Sequence, residues 1–291
     1  MTVLPQTPVR CAVIRMGGYA TAHEERGTEG MKISRLSYVV LVSTLAIAST
    51  LHAQEKEPAK SAPTLAFDGK VVLSSLVSLV DGRLSAISDL LSVAALTEEV
   101  RSGDWARMKP LLAEIQKCEG GAVAWYALPD GSYYTVDKDK MDQNLKDRPY
   151  LPKALAGQKV IGDLVVSKST GQMSAVMVVP VSNGKTVTGI LGLSLFMQKF
   201  GEGIQKDMNL PDSAIFFALN RDRVTAFHVR AERVFVDPAT QGSESMTRAV
   251  QDMLAKEEGV VEYEFGGPRR VMFRHSNVTG WWYALGLPVV P

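Results

Sequence analysis

Apolar residues at Leu73, Leu76, Val80, Leu84, Ile87, Leu91 and Ala94 follow a 3,4,4,3,4,3 spacing, the period of one face of an α-helix. The pattern predicts one long amphipathic helix starting near Phe67, with serine, aspartate and arginine on its other face. Such a helix lies on a sheet or forms a seam with a second copy of itself. Asp104, after Ser-Gly, suits the cap of a second helix through Lys117, and Pro110 predicts a kink in it.

The period then changes. Residues 120 or 121 to 136, GAVAWYALPDGSYYTV, read as two strands joined by a Pro-Asp-Gly turn. MSAVMVVPVSNGKTVTGILGLSLF reads as a second hairpin, with Asn183-Gly184 supplying the positive φ values of a tight turn. MQKFGEGIQKDMNLPD reads as a joint, and after it the plan recurs. FALNRDRVTAF echoes YALPDGSYYTV and SNVTGWWYALGL echoes SNGKTVTGILGL; Leu128 to Gly189 and Leu219 to Gly280 are both 61 positions apart, and each copy sits 91 residues after its counterpart. A helix over Glu244 to Glu257 and strands at Gly259 to Phe265, Arg269 to His275 and Trp281 to Leu287 complete the second half. Strand alternation predicts one of Trp281 and Trp282 buried and the other exposed. The fold class is therefore α+β: a long N-terminal helix followed by two tandem antiparallel-sheet modules.

The first part of the chain has a different character. Lys32 and Arg35 precede an 18-residue run from Leu36 to Ala53 that holds His52 but no acidic residue, lysine or arginine, and a polar tail follows. That is the layout of a secretory signal cut after Ala53, or of an uncleaved membrane anchor. Met31 competes with Met1 as the start of translation. The expected division is an N-terminal extension at 1–30, the signal segment at 31–53, a linker at 54–66, the long helix and first module at 67–200, and the second module at 201–291. A chain cut after Ala53 loses five basic and three acidic residues, leaving 27 basic against 28 acidic side chains. That near-neutral balance argues against nucleic acid as a partner. Of the two cysteines only Cys118 would remain in the cut chain, so no intramolecular disulfide is expected. Export without disulfides suits a bacterial periplasm or a secreted location.

Taken in order, PDGSYYTV, NLKDRPYLPKALAG, SKSTG, VMVVPV and TGILGLSL, with TGWWYALGLP near the end, resemble the extracytoplasmic double Cache sensor domains of bacterial chemoreceptors and histidine kinases. The resemblance covers about Phe67 to Pro288. It implies two PAS-like, five-stranded modules, with a small molecule bound in the one farther from the membrane. The chain departs from the usual layout by ending at Pro291 without a second membrane helix or an output domain. Any signal is therefore expected to pass through a partner, such as a membrane receptor or kinase, with a homodimer through the helix at 67–100 as a further expectation.

In amino-acid-binding members of that family an arginine followed by an aromatic residue grips the ligand carboxylate, and aspartates hold its ammonium. Arg148 and Tyr150 match the first pair, whereas the aspartate positions fall on Ser167 or Lys168 and on Ser194. A guanidinium and a phenol suit a carboxylate, and the serines leave an ammonium without a counter-charge. The expected ligand is thus a small carboxylate lacking a free amine, walled by Trp125 or Tyr134, with Lys168 adding positive field if it points inward. Only one of Tyr133 and Tyr134 can face inward.

Plainer readings stand beside this one. Arg148 pairs with Asp147 or caps a helix begun by Pro149, Tyr150 packs in the core, and the lobes are empty scaffolds of an assembly protein associating through the long helix. RDRVTAFHVRAER, residues 221–233, reads as a solvated face. No enzyme is expected: Ser182 and Lys185 fit a serine-acylase pattern but occupy a hairpin turn instead of a helix start. His228 and His275 are too far apart in sequence for a local metal pair, so neither metal nor cofactor is expected.

Overall fold

Two antiparallel sheets share one helix. The computed structural model describes residues 68–211 and 213–288; the expected extension, signal segment and linker lie outside the described residues. Helix α1 spans Gly69–Ala94, roughly 39 Å at 1.5 Å per residue. It starts at Asp68, whose carboxylate accepts the Lys70 amide at 2.8 Å, satisfying a donor that the first turn leaves unpaired. The periodic residues from Leu73 to Ala94 form its buried stripe. A short α2 (Glu98–Arg101) and α3 (Trp105–Cys118) follow, with Asp104 accepting the Ala106 amide at 2.9 Å as cap and Pro110 inside α3. Cys118 is disulfide-bonded; the expectation of no disulfide applies to a chain cut after Ala53.

The first sheet contains β1 (Ala122–Ala127), β2 (Ser132–Thr135), β3 (Asp139–Asn144), β4 (Val160–Val166), β5 (Met173–Asn183) and β6 (Thr186–Phe196), in the order β3-β2-β1-β6-β5-β4, with α4 (Tyr150–Leu155) between β3 and β4. It has six strands where the family resemblance implied five. The addition is β3, whose DKMDQN is almost wholly exposed and shows no alternation to read. In the β5–β6 hairpin Asn183 pairs with Thr186, so the turn is Gly184-Lys185 and Gly184 alone takes a positive φ, 62°. The expected positive φ at Asn183 is corrected: that residue ends the strand.

Helix α5 (Met197–Met208) replaces the expected joint. Its Met197, Phe200, Gly201 and Ile204 form a helical stripe that is buried, a signal masked by the two glycines beside it. The second sheet contains β7 (Ile215–Leu219), β8 (Thr225–His228), β9 (Glu258–Glu264), β10 (Pro268–His275) and β11 (Trp282–Pro288), in the order β8-β7-β11-β10-β9, with α6 (Glu244–Leu254) before β9.

The repeat is real, but its period is 92. Trp125 pairs with Gly192 and Phe217 with Ala284, each residue 92 after its counterpart. The turns agree, since Leu128 donates to the Ser132 carbonyl as Asn220 does to that of Val224. The 91-residue offset suggested by letter matches puts Phe217 opposite Tyr126, although they face opposite sides of their sheets: Tyr126 packs on the α1 side and Phe217 on the other. Side chains alternate along a strand, so a one-residue slip exchanges the faces.

Residues Ala66–Pro291 form one compact unit. The stripe of α1 is continuous with one face of both sheets, including Ala124, Met177 and Leu193 of the first and Phe216, Tyr283 and Leu285 of the second. Helix α1 is long and apolar enough to cross a membrane, yet its apolar stripe is taken up by this core. Asp81 fastens the helix to the second sheet, its carboxylate accepting the Tyr283 hydroxyl at 2.9 Å and the Ser276 hydroxyl at 2.7 Å. Trp281 and Trp282 are both buried, correcting the expectation of one exposed. Both faces of this sheet are covered, and the Trp281 indole N–H donates to the Gly162 carbonyl of β4 at 3.2 Å.

Asp81→Ala leaves the buried Tyr283 and Ser276 hydroxyls without this acceptor. The expected loss is about 2–4 kcal/mol, read as a lower urea midpoint at unchanged slope. A loss below about 0.5 kcal/mol would show that the clamp adds nothing measurable.

Candidate functional site

The face of the first sheet turned away from α1 carries its own apolar layer, built from Trp125, Ala127, Tyr133, Val176, Val178 and Ile190 and closed by Leu145 and helix α4. Within that layer lies a small hollow. Six of the residues singled out by sequence line it: Trp125, Arg148, Tyr150, Ser167, Lys168 and Ser194. Tyr134 does not. Its neighbour Tyr133 does, because side chains alternate along β2, and the Tyr134 ring stacks on Trp105 of α3 at 5.3 Å. Leu145, Val165 and Ser169 also line the hollow and were not foreseen; nothing in their residue types marks them out.

Arg148 sits in a turn, its amide donating to the Leu145 carbonyl at 2.9 Å. Its Nη2 donates to the Val166 carbonyl of β4 at 2.6 Å, and this bond fixes the guanidinium across the hollow. Neither the Asp147 pairing nor a helix cap is what holds it. The Nε of Arg148 and the hydroxyl of Tyr133 are buried without a hydrogen-bond partner. Among the described residues only one other buried side-chain polar atom is in that condition, Ser88 Oγ on α1. A buried donor left unpaired costs about 1–3 kcal/mol, more when charged, so two at one hollow call for an acceptor. Burial raises the pKa of both Tyr133 and Tyr150, the nearby Arg148 charge opposing it only in part. Both phenols are therefore donors at neutral pH.

The walls are aromatic. The Trp125 and Tyr150 rings lie 5.9 Å apart at 35°, and the indole N–H of Trp125 donates to Ser194 Oγ at 3.0 Å. That indole lies across β6 at Gly192, where a Cβ would run into it. Ser167 and Ser169 share a hydrogen bond of 3.1 Å. No carboxylate is among the lining residues.

Lys168 is held at the rim and not free to meet a ligand. Its ammonium donates to Asp147 Oδ1 and to the Asn144 carbonyl, each at 2.6 Å, tying the segment before α4 to the loop after β4. Lys138 adds a bond to the Ser169 carbonyl at 2.6 Å. The space between the hollow's atoms is about 260 Å³ with the open mouth included. Its enclosed part has room for about one water molecule. Entry of anything larger requires these two loops to part.

Outside comparisons bear on the architecture. The sequence matches no family model and no curated protein. In the solved structures, the sensor domain of the Vibrio cholerae histidine kinase DctB is 15% identical, with TM-score 0.58 over 76% of this chain and 96% of that one. The ligand-binding domain of the Pseudomonas fluorescens chemoreceptor CtaA, in complex with L-isoleucine, is 15% identical, with TM-score 0.57 over 74% and 88%. That of the Pseudomonas aeruginosa amino-acid chemoreceptor PctB, in complex with L-arginine, is 16% identical, with TM-score 0.56 over 76% and 92%. The chain thus has the double Cache fold of these sensor domains.

The Lys168 bond holds the Asp147 carboxyl below its usual pKa. A lowered folded pKa means the latch is fully present above the ordinary aspartate value of 3.8 and is lost as pH falls through the folded one. The Asp147 carboxyl carbon should therefore titrate below pH 3.8 by NMR. At neutral pH, Asp147→Asn should speed hydrogen exchange at the Arg148 and Gly171 amides while leaving the β5–β6 amides protected; unchanged exchange at the two loop amides would remove the latch.

Proposed function

We propose that this chain is an extracytoplasmic ligand-binding sensor domain that takes a small carboxylate lacking a free amine in its first lobe and signals through a partner such as a membrane receptor or kinase. The observation that carries this reading is the pair of unpartnered buried donors at one hollow, Arg148 Nε and Tyr133 OH. A carboxylate oxygen satisfies both, and a charge-assisted bond from a guanidinium is among the stronger ones available. The ligands in the CtaA and PctB complexes, L-isoleucine and L-arginine, each have a carboxylate beside an ammonium. Here the donors suit the first group, while Ser167 and Ser194 stand where a counter-charge for the second is wanted. Trp125 and Tyr150 supply the apolar wall, and Lys168 latches the loops at the rim.

Association of two copies along α1 is supported by a second observation. Opposite its buried stripe, Val71, Leu79, Leu90 and Val93 are exposed, with the small residues Gly82 and Ala86 between them, also exposed. These positions fall within one helical face at 100° per residue. The helix is thus apolar on two sides, and the second is free to pack on its equal.

A thermal-shift screen separates a sensor from an empty scaffold. Short carboxylates at 100 times their dissociation constant should add about 2.7 kcal/mol to stability, and Arg148→Ala should abolish the gain while leaving the unliganded protein folded. A response confined to amines, or one undiminished in Arg148→Ala, removes the assignment. For association, the double variant Leu79→Glu, Leu90→Glu should sediment as a monomer where the parent chain sediments as a dimer; identical sedimentation excludes α1 as the seam.

A further inference from the structure

The segment 221–233, expected to be a solvated face, turns inward at its centre: Ala226, Phe227 and His228 are buried. His228 borders a second hollow, of about 350 Å³ with its open mouth included and with about 30 Å³ of enclosed room, on the face of the second sheet turned away from α1. Its place matches that of the first. Phe217 stands 92 positions after Trp125 and lines it as Trp125 lines the other. Tyr263 pairs with Arg269, which pairs with Pro288; Val165 pairs with Ser174, which pairs with Phe196. Pro288 is again 92 after Phe196, so Tyr263 holds the place of Val165, another lining residue of the first hollow.

The chemistry differs in origin but not in sign. The cation is Arg233, in a 3-10 turn after β8, its guanidinium 4.2 Å from the centre of the Phe265 ring. Among the described residues no carboxylate lies within salt-bridge distance of it, and Asp237 beside the rim is taken by Arg223 at 3.2 Å. His228 accepts the Arg230 amide on Nδ1 at 2.8 Å, which leaves the ring proton on Nε2. Burial, with Arg233 and Arg230 nearby, lowers its pKa to about 3, so the ring stays neutral. Tyr263 adds a phenol whose pKa burial raises, and no carboxylate is among the lining residues. Phe217, Val236 and Met246 make the remaining wall apolar.

We propose that this second hollow is a ligand site in its own right, taking a small carboxylate with a short apolar tail, held by the Arg233 guanidinium and the donors of Tyr263 and His228. The site does not depend on the first. Two hollows on one chain give it two readings of the same class of solute, or of two members of it.

The test follows the Nε2–H resonance of His228 by NMR in the full chain while sodium acetate, propionate, butyrate or benzoate replaces sodium chloride at constant ionic strength. His275, hydrogen-bonded to Glu257 at 2.9 Å, is the internal control. At least one carboxylate should shift the His228 signal saturably, with the same midpoint in Arg148→Ala. Arg233→Gln should weaken that midpoint about tenfold or more, as expected for loss of a charged hydrogen bond. Tyr263→Phe should weaken it in a chain whose other resonances are unmoved. A His228 signal that ignores all four salts, or that moves only while Arg148 is intact, overturns the proposal. Binding at Arg148 is read separately by thermal shift, so the two sites can fail independently.

Discussion

The apolar stripe of α1 is the constraint on which the architecture depends. Each sheet has one face that it cannot leave in water, and both present that face to the same helix. A fully buried leucine contributes about 1.5–3 kcal/mol relative to an exposed one, and Leu76, Leu84 and Leu91 are completely covered along this line. Neither sheet could keep its core if the helix were lost. The helix also leaves the opposite faces of both sheets free to be closed separately, by α4 in the first lobe and by α6 in the second. Those outer layers are thinner, and the hollows lie there.

In the first lobe the chemistry follows from what the outer layer lacks. Its donors are a guanidinium nitrogen and a phenol, and no carboxylate is among the residues that line the hollow. For the proposed carboxylate, burial removes the water that would otherwise satisfy both groups. The ion pair between Lys168 and Asp147 closes the rim with groups separate from the two unpartnered donors.

Much of this was legible in the sequence. The 3,4,4,3,4,3 spacing located α1 to within two residues of its start, since a one-sided apolar stripe of that length has few other solutions. Arg148, Tyr150, Ser167, Lys168 and Ser194 follow from the family resemblance and Trp125 from the need for an apolar wall, and all six line the hollow. Tyr134 does not; its choice over Tyr133 turned on strand phase, and the flanking residues Ser132 and Thr135 are both small and polar. The repeat failed in the same way: short letter matches were aligned one position out of phase, which is invisible in one dimension and reverses every face in three. Strand β3 was missed because an exposed edge needs no hydrophobic pattern. The Asp147 to Lys168 bond joins positions 21 apart through a fold that spacing alone does not specify.

Gly192 makes room for one wall of the first hollow. The Trp125 indole can lie across the sheet only because the residue beneath it has no side chain, so the depth of the first hollow is decided from below, by a single hydrogen. A side chain at that floor position would displace the Trp125 indole, a wall of the hollow, without touching Arg148 or Tyr133. In the proposed site, selection by size is thereby separated from selection by charge.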